Sequence, residues 1–215
     1  MRIFLSLHKP HIRIKKPNMS QPAIALSPAE STTNEIIQLF EQHGAEDYDG
    51  EPVSQTSHMI QCAMLAMENW SDMTLILGAL LHDVGHLLKH KGLTQLMDGY
   101  GVVNHESIGA AYLRSKGFPE RLCAVVEQHV AAKRYLVATD AAYQSKLSPA
   151  SLQTLQWQGG PMSQEEAWTF EKHPFFTDIV KVRRWDEEAK NSQAVLLPLS
   201  YYRKLLHDYL TTLHT

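Results

Sequence analysis

The segment Ala79-Leu80-Leu81-His82-Asp83-Val84-Gly85-His86 decides how this chain can fold, because an apolar helix ends there on two adjacent ionisable side chains. The helix predicted over 73–82 is apolar nearly all round, as is typical of a helix at the centre of a core. Asp72 is placed to cap its first turn, and Gly85 is expected to end it. A poorly solvated carboxylate such as Asp83 is costly to bury unless a partner compensates its charge. A metal ion is one such partner, and the two oxygens of a carboxylate can bridge two cations.

Helical periodicity extends over most of the remaining chain. The alternation of β-branched residues that is typical of strands is absent. Further helices are predicted over 31–43, 54–69, 102–116, 119–136, 174–190 and 199–213, with shorter ones from Ser148-Pro149 and from Ser163, whose spacing to Glu166 is that of a capping box. Irregular connections are expected at 87–101 and 137–147. The sequence therefore predicts an all-α fold with one helical domain over 31–215 and a loosely structured tail over 1–30.

Composition and charge narrow the class of protein. The 215 residues, 44% of them hydrophobic, suffice for one buried core. The net charge of −3 gives no electrostatic case for a nucleic-acid partner or an acidic membrane. No apolar run reaches the roughly 18 residues of a membrane-spanning helix, and the apolar start at 1–7 is too short for a signal peptide. We expect a cytoplasmic protein in which Cys62 and Cys123 are buried thiols, with Met1 or Met19 as the true start.

Histidine is unusually frequent, with 12 copies. Helical proteins build metal sites from inward side chains on facing helices. Six candidate ligands fall on separate predicted helices or at their ends: His58, His82, Asp83, His105, His129 and Asp186. A mixed imidazole and carboxylate set suits iron, manganese or zinc. Taken singly, a histidine on an apolar helix is more often a hydrogen-bonded core or surface residue, so the interpretation depends on the ordered combination.

The order of these residues resembles the signature of the HD superfamily, in which His105 and His129 match the additional ligands of the two-metal members. Further segments are similar to those of the 2-amino-1-hydroxyethylphosphonate oxygenases, which are mixed-valent di-iron HD enzymes that cleave a carbon–phosphorus bond. The resemblance covers roughly residues 34–210. The segments that carry it are Tyr48-Asp49-Gly50-Glu51, Gly99-Tyr100-Gly101-Val102, 105–110, His129-Val130-Ala131-Ala132-Lys133-Arg134-Tyr135-Leu136, Gln158-Gly159-Gly160-Pro161-Met162 and Arg184-Trp185-Asp186-Glu187.

The resemblance implies a role for each matching residue. One iron would be held by His58, His82 and Asp186, and the other by His105 and His129, with Asp83 bridging the two. The substrate contacts that it implies are Tyr48, Glu51, His86, Lys133, Ser151 and Thr154, of which Glu51 would meet the substrate amine. The cofactors would be two iron ions per chain, as Fe(II)/Fe(III), with O2 as co-substrate and the di-iron centre itself as the catalytic group. Phosphate and glycine would be the products, and a partner hydroxylase would supply the substrate.

The residues themselves support some of these roles and leave others open. His129 and Lys133 lie four apart and so share a helix face, and a phosphonate dianion needs such a cation. His86 could instead orient Asp83, and the polarity of Ser151 and Thr154 could be that of an ordinary helix start. The loop that holds Tyr48 and Glu51 could simply be a turn. One of Arg183 and Arg184 is expected to pair with a ligand carboxylate, and the sequence does not choose between them.

Three other functions compete with the oxygenase interpretation. An HD phosphohydrolase would use its metals to make a hydroxide nucleophile, with no need for O2. A di-iron oxygenase of a sugar alcohol, such as myo-inositol oxygenase, is larger than this chain. A non-catalytic HD domain would be expected to lose ligands. Within the oxygenase interpretation, the sequence does not separate a primary amine from an N-trimethylated one, because it cannot place Tyr100, Tyr135 or Trp157 in the pocket.

Overall fold

The chain is almost entirely helical where the computed structural model describes it, which is over residues 25–48, 50–88 and 103–213. These residues contain no strand, which confirms the predicted all-α class. The helices are α1 Pro28–His43, α2 Gln55–Glu68, α3 Met73–Leu81, α4 Val84–Leu87, α5 His105–Ser115, α6 Glu120–Thr139, α7 Ala141–Gln144, α8 Pro149–Trp157, α9 Gln164–Phe170, α10 Phe176–Glu188 and α11 Leu199–Leu213. Residues 1–24 of the predicted tail and most of the predicted connection at 87–101 lie outside the described residues.

Side-chain caps fix several helix starts where the sequence predicts them. Asp72 accepts a hydrogen bond from the backbone of the first turn of α3. Ser148 does the same for α8, and Ser163 and Glu166 form the predicted capping box of α9. Each cap satisfies an N–H group that would otherwise lack a partner at the helix end.

Other boundaries differ from the prediction. Helix α1 begins at Pro28 because the Ser27 side chain caps it, so the last three residues of the predicted tail are helical. Helix α6 continues to Thr139. The connection expected to be irregular at 137–147 then contains the short helix α7, whose first turn Asp140 caps.

The turn at His82-Asp83 separates α3 from α4, so the prediction that Gly85 ends α3 is wrong. Gly85 lies inside α4, where an added Cβ would lie 2.0 Å from the carbonyl oxygen of His105. The missing side chain therefore allows the backbone at the start of α5 to pack directly on α4. This close approach brings His105 next to Asp83.

Helix α3 lies at the centre of the core. It packs against α2, α6 and α10, while α5 packs on α4 and α6, and α1 on α11. Leu77, Leu80 and Leu81 are each at most 1% exposed. Cys62 and Cys123 are free and buried, as predicted. Among the described helices, none combines the length and the apolar character needed to cross a membrane.

We predict that Gly85→Ala destabilises the fold even though alanine favours helices. The new methyl group would meet the backbone of His105, and such overpacking costs about 1–3 kcal/mol. The free energy of unfolding from urea denaturation measures this loss. Gly78→Ala in α3 is the matched control, because the nearest atoms to its Cβ would be side-chain atoms of Val125 and Leu122, at 3.3–3.8 Å. A Gly85→Ala protein as stable as the Gly78→Ala protein would contradict the proposed close approach.

Candidate metal centre and adjoining pocket

The six candidate ligands converge at the inner end of α3. His58 comes from α2, His82 and Asp83 from the α3–α4 turn, and the other three from α5, α6 and α10. Each of the six is at most 5% exposed. Their imidazole Nε2 atoms face each other in two pairs, 3.1 Å apart for His58 and His82 and 3.0 Å apart for His105 and His129.

Asp83 lies between the two histidine pairs. Its Oδ2 atom is 3.5 Å from Nε2 of His58 and 3.3 Å from Nε2 of His82. Its Oδ1 atom is 3.3 Å from Nε2 of His105 and 3.4 Å from Nε2 of His129. Each oxygen atom of this carboxylate therefore faces a different pair of histidines, which is the arrangement that a bridging ligand requires. Asp186 belongs to the first group, since its Oδ1 atom is 3.2 Å from Nε2 of His58.

The hydrogen-bond pattern shows that these groups fit cations. Three imidazoles direct Nδ1 at backbone carbonyls: His58 at Ala189 (3.0 Å), His82 at Ala79 (2.8 Å) and His129 at Val126 (2.7 Å). A neutral imidazole has a single N–H, and donation from Nδ1 leaves the lone pair on Nε2. Asp83 Oδ2 and Asp186 Oδ1 are buried without a hydrogen-bond partner. Facing lone pairs and orphaned carboxylate oxygens repel one another unless positive charge lies among them.

The local electrostatics keep both carboxylates ionised. Burial would raise the pKa of Asp83, but the surrounding histidines, His82 foremost, hold that pKa well below its ordinary value. Burial opposes ionisation of Asp186 too, and Arg183 and His82 hold its pKa well below the usual range. Ligation of a metal requires the deprotonated carboxylate. The cluster is thus ready to hold metal ions without first losing protons from these two groups.

A pocket opens beside the cluster and brings together all six predicted substrate contacts. His105 and His129 form part of its wall. The predicted contacts that line it are Tyr48, Glu51, His86, Lys133, Ser151 and Thr154. The rest of the described lining is formed by Gln55, Val130, Ala150, Gln158 and Arg183.

Lys133 supplies a buried cation in the wall of this pocket. It is 3% exposed, and its Nζ donates to Thr154 Oγ1 at 2.9 Å. Burial, assisted by the charge of Arg183, lowers the pKa of Lys133 to about 7. Lys133 is therefore a buried cation rather than a solvated surface lysine, and an anion bound here would favour its charged form.

Tyr48 and His86 lie against opposite groups of the cluster. The Tyr48 ring stacks on His58 with centroids 4.0 Å apart, and burial together with Asp83 raises the pKa of Tyr48 well above its ordinary value. The His86 ring stacks on His105 at 4.0 Å. Burial and the nearby charge of His105 lower the pKa of His86 well below its ordinary value. His86 Nε2 is also 4.0 Å from Asp83 Oδ1, so its two predicted roles stay open.

The structure chooses between the two arginines that the sequence left undecided. Arg183 is 4% exposed and donates to Oδ2 of Asp186 and, at 2.6 Å, to the hydroxyl of Tyr143. Arg184 instead pairs with Asp140 at 2.8 Å, away from the cluster. Arg183 thus leaves Oδ1 of Asp186 free to face the histidines.

A chain of alternating charges joins this arginine to Glu51. Arg183 donates to Glu187 Oε2 at 2.5 Å. Lys190 Nζ lies 2.8 Å from Glu187 Oε1 and 2.9 Å from Glu51 Oε1. Sequence reasoning missed Glu187 and Lys190. The available signal was the spacing of four residues from Arg183 to Glu187 on α10 and of three from Glu187 to Lys190, which lies just beyond the end of α10. This spacing is equally common on solvated helix faces.

Two of the three aromatic residues that the sequence could not place, Tyr135 and Trp157, lie outside the pocket lining. The Tyr135 hydroxyl donates to Glu171 at 2.8 Å, and its ring packs against Phe170 and Phe176. Trp157 is 43% exposed. Neither is among the residues that line the pocket, and Tyr100 lies outside the described residues. Over the part of the chain that is described, Tyr48 is the one tyrosine, tryptophan or phenylalanine in the lining.

Comparison with known proteins is consistent with this geometry. Residues 56–166 match the family model described as "HD domain". This segment begins just before His58 and contains five of the six candidate ligands, while Asp186 lies beyond it. Three individual proteins are similar to this chain over a longer stretch than the family model covers.

Two of these relatives are named as phosphonate dioxygenases. The [1-hydroxy-2-(trimethylamino)ethyl]phosphonate dioxygenase (glycine-betaine-forming) of Leisingera caerulea is 41% identical over 174 residues, 81% of this chain and 88% of that protein. The hydroxymethylphosphonate dioxygenase of Gimesia maris is 37% identical over 171 residues, 78% of this chain and 82% of that protein. An uncharacterized protein of Acanthamoeba polyphaga mimivirus is 44% identical over 178 residues, 83% and 81% of the two chains.

We predict that Asp83→Ala loses metal from both halves of the cluster. The substitution removes both oxygens that separate the histidine pairs, so neither position keeps its full set of ligands. Metal content by mass spectrometry after anaerobic loading with Fe(II) measures the loss. The control is Glu171→Gln. The Glu171 side chain accepts a hydrogen bond from Tyr135, far from the cluster, so this variant should bind as much metal as the wild type. Two irons per Asp83→Ala chain would contradict the bridging role.

Proposed function

The chain belongs to the HD-domain family, and on that premise we propose that it is a dioxygenase that cleaves the carbon–phosphorus bond of a small 1-hydroxyphosphonate. Its cofactors would be two iron ions, and O2 its co-substrate. The first candidate substrate is 2-amino-1-hydroxyethylphosphonate, which would give phosphate and glycine. The N-trimethyl analogue, which would give glycine betaine, is the second. The two named relatives support the reaction class.

One observation carries the proposal: a buried lysine and a buried carboxylate face the same pocket as the candidate metal ligands. Lys133 and His129 lie one turn apart on α6, and both line the pocket together with Glu51. A phosphonate needs a cation and hydrogen-bond donors, and an ammonium group needs a carboxylate. A zwitterionic substrate fits with its phosphonate at Lys133 and its amine at Glu51.

In this proposal the protein side chains bind and orient the substrate and the two metal ions. When bound, the two iron ions would supply activation of O2 and a Lewis acid for the hydroxyl and phosphonate oxygens of the substrate. Lys133 and Thr154, which already share a hydrogen bond of 2.9 Å, would hold the phosphonate. Asp83 would fix the spacing of the two metals. Burial of the whole set keeps bulk water away from the reacting carbon.

The proposed reaction balances without an external reductant. The C–H and C–P bonds at the hydroxyl-bearing carbon break, and this carbon is oxidised to a carboxylate. One oxygen atom of O2 enters the carboxylate and the other enters phosphate. For the aminoethyl substrate the products are glycine, hydrogen phosphate and one proton. O2 is thus the oxidant, and the iron ions return to their starting state.

The test of this function is phosphate release from iron-loaded protein with and without O2. We predict release from 2-amino-1-hydroxyethylphosphonate or its N-trimethyl analogue that needs both iron and O2, with one phosphate formed per O2 consumed. Zinc-loaded protein is the control and should release none. Hydrolysis of p-nitrophenyl phosphate or a nucleotide under Mn(II), with no release from either phosphonate, would instead place the protein among the HD phosphohydrolases.

We predict that Lys133→Met raises KM for the phosphonate by roughly tenfold to a hundredfold, the usual effect of losing a charge-assisted hydrogen bond. Metal content should not change. Because the pKa of Lys133 is about 7, its charged form dominates below that pH, and kcat/KM should fall as pH rises above it. Lys133→Arg keeps the charge at all these pH values and should remove this fall. An unchanged KM in Lys133→Met would rule out the phosphonate role.

A further inference from the structure

Glu51, which lines the pocket, already has a cationic partner, Lys190. Its Oε1 atom accepts a hydrogen bond from the Ser148 hydroxyl and forms an ion pair with Lys190, whose Nζ lies 2.9 Å away. The side chains of Glu51 and Lys190 are 7% and 12% exposed. The carboxylate that the proposed function assigns to the substrate amine is therefore partly neutralised before any substrate arrives.

Lys190 is held firmly in this position. Its Nζ also lies 2.8 Å from Glu187 Oε1 and donates to Ser151 Oγ at 3.0 Å. The backbone on either side is fixed as well. The carbonyl of Ala189 accepts from His58 Nδ1, and the N–H of Asn191 donates to the Gln61 side chain at 3.0 Å. Lys190 thus contacts two residues of the pocket lining, Glu51 and Ser151, and differs from a surface lysine that a substrate could displace freely.

The position of Lys190 weakens the attraction of Glu51 for a second cation. Lys190 and Ser148 both contact Oε1 of Glu51, so the other oxygen, Oε2, is the place for a substrate ammonium. An ammonium at Oε2 would be attracted by Glu51 but repelled by Lys190 a few ångströms away. Charge–charge interactions at such separations and at this burial are large. A substrate without a positive charge would feel no such repulsion.

We propose that Lys190 is a specificity-determining residue, which offsets the charge of Glu51 and so limits the preference of the pocket for a cationic substituent on the hydroxyphosphonate. The inference rests on the proposed function. With Lys190 in place, the pocket accepts hydroxyphosphonates with and without an ammonium group. Without Lys190, the bare carboxylate favours the ammonium-bearing substrate strongly.

The experiment compares two substrates in iron-loaded wild-type protein, Lys190→Met and Lys190→Arg. The substrates are 2-amino-1-hydroxyethylphosphonate and hydroxymethylphosphonate, and the readouts are the anaerobic Kd by calorimetry and kcat/KM for phosphate release. In Lys190→Met the preference for the amino substrate, in both readouts, should rise by about tenfold or more. Lys190→Arg, which keeps the charge, should retain the wild-type preference to within about twofold.

A double variant separates the electrostatic role from a structural one. In Glu51→Gln the carboxylate is gone, so adding Lys190→Met should no longer raise the preference for the amino substrate. Equal losses for both substrates in Lys190→Met, with an unchanged ratio of Kd values, would overturn the proposal. Protein that binds both substrates and turns over neither would contradict the proposed function alone, because the ratio of Kd values still decides the role of Lys190. Protein that binds neither would contradict both.

Discussion

The burial of Asp83 among four imidazoles is the constraint on which the rest of the structure depends. Helix α3 is apolar and central, and it ends on a carboxylate that is 1% exposed. Such a group is stable only where positive charge or donors surround it. Helices α2, α5, α6 and α10 each contribute one candidate ligand next to Asp83. The packing of these helices in the core therefore also assembles the site. The absence of a side chain at Gly85 also contributes to the assembly of the site, because it allows α5 to approach closely enough for His105 to face Asp83.

Charges outside the cluster extend its order into the pocket. Arg183 orients Asp186, and Glu187 and Lys190 continue the alternation to Glu51. Lys133, whose pKa burial lowers to about 7, lines the same pocket. The pocket is thus lined by a buried lysine, the proposed phosphonate contact, and by a carboxylate that forms an ion pair with Lys190. This difference underlies the proposal that Lys133 holds the phosphonate while the pocket does not require a cationic second substituent. The two relatives are named for hydroxyphosphonates with and without a trimethylammonium group.

Local patterns in the sequence predicted the fold class and most of the helices, and ordered motifs predicted which residues would meet. The sequence predicts the caps at Asp72 and Ser163 and both ends of α11 correctly. These features depend only on residues that are close together in the chain. The predicted role of Gly85 was wrong because the sequence does not distinguish a glycine that ends a helix from one that allows another helix backbone to pack closely. The difference becomes visible only when the packing partner, here the backbone of His105, is known. Lys190 was missed for a related reason. Its significance comes from Glu51, 139 positions earlier, and no periodicity records such a contact.

The central claim is that the six residues hold two metal ions with Asp83 between them. Anomalous X-ray scattering at the iron edge, from crystals loaded anaerobically with Fe(II), tests it most directly. The account predicts two peaks roughly 3.5–4 Å apart, the usual spacing of two-metal sites. One should be bordered by His58, His82 and Asp186, and the other by His105 and His129. A single peak, or two peaks that do not share Asp83, would contradict it.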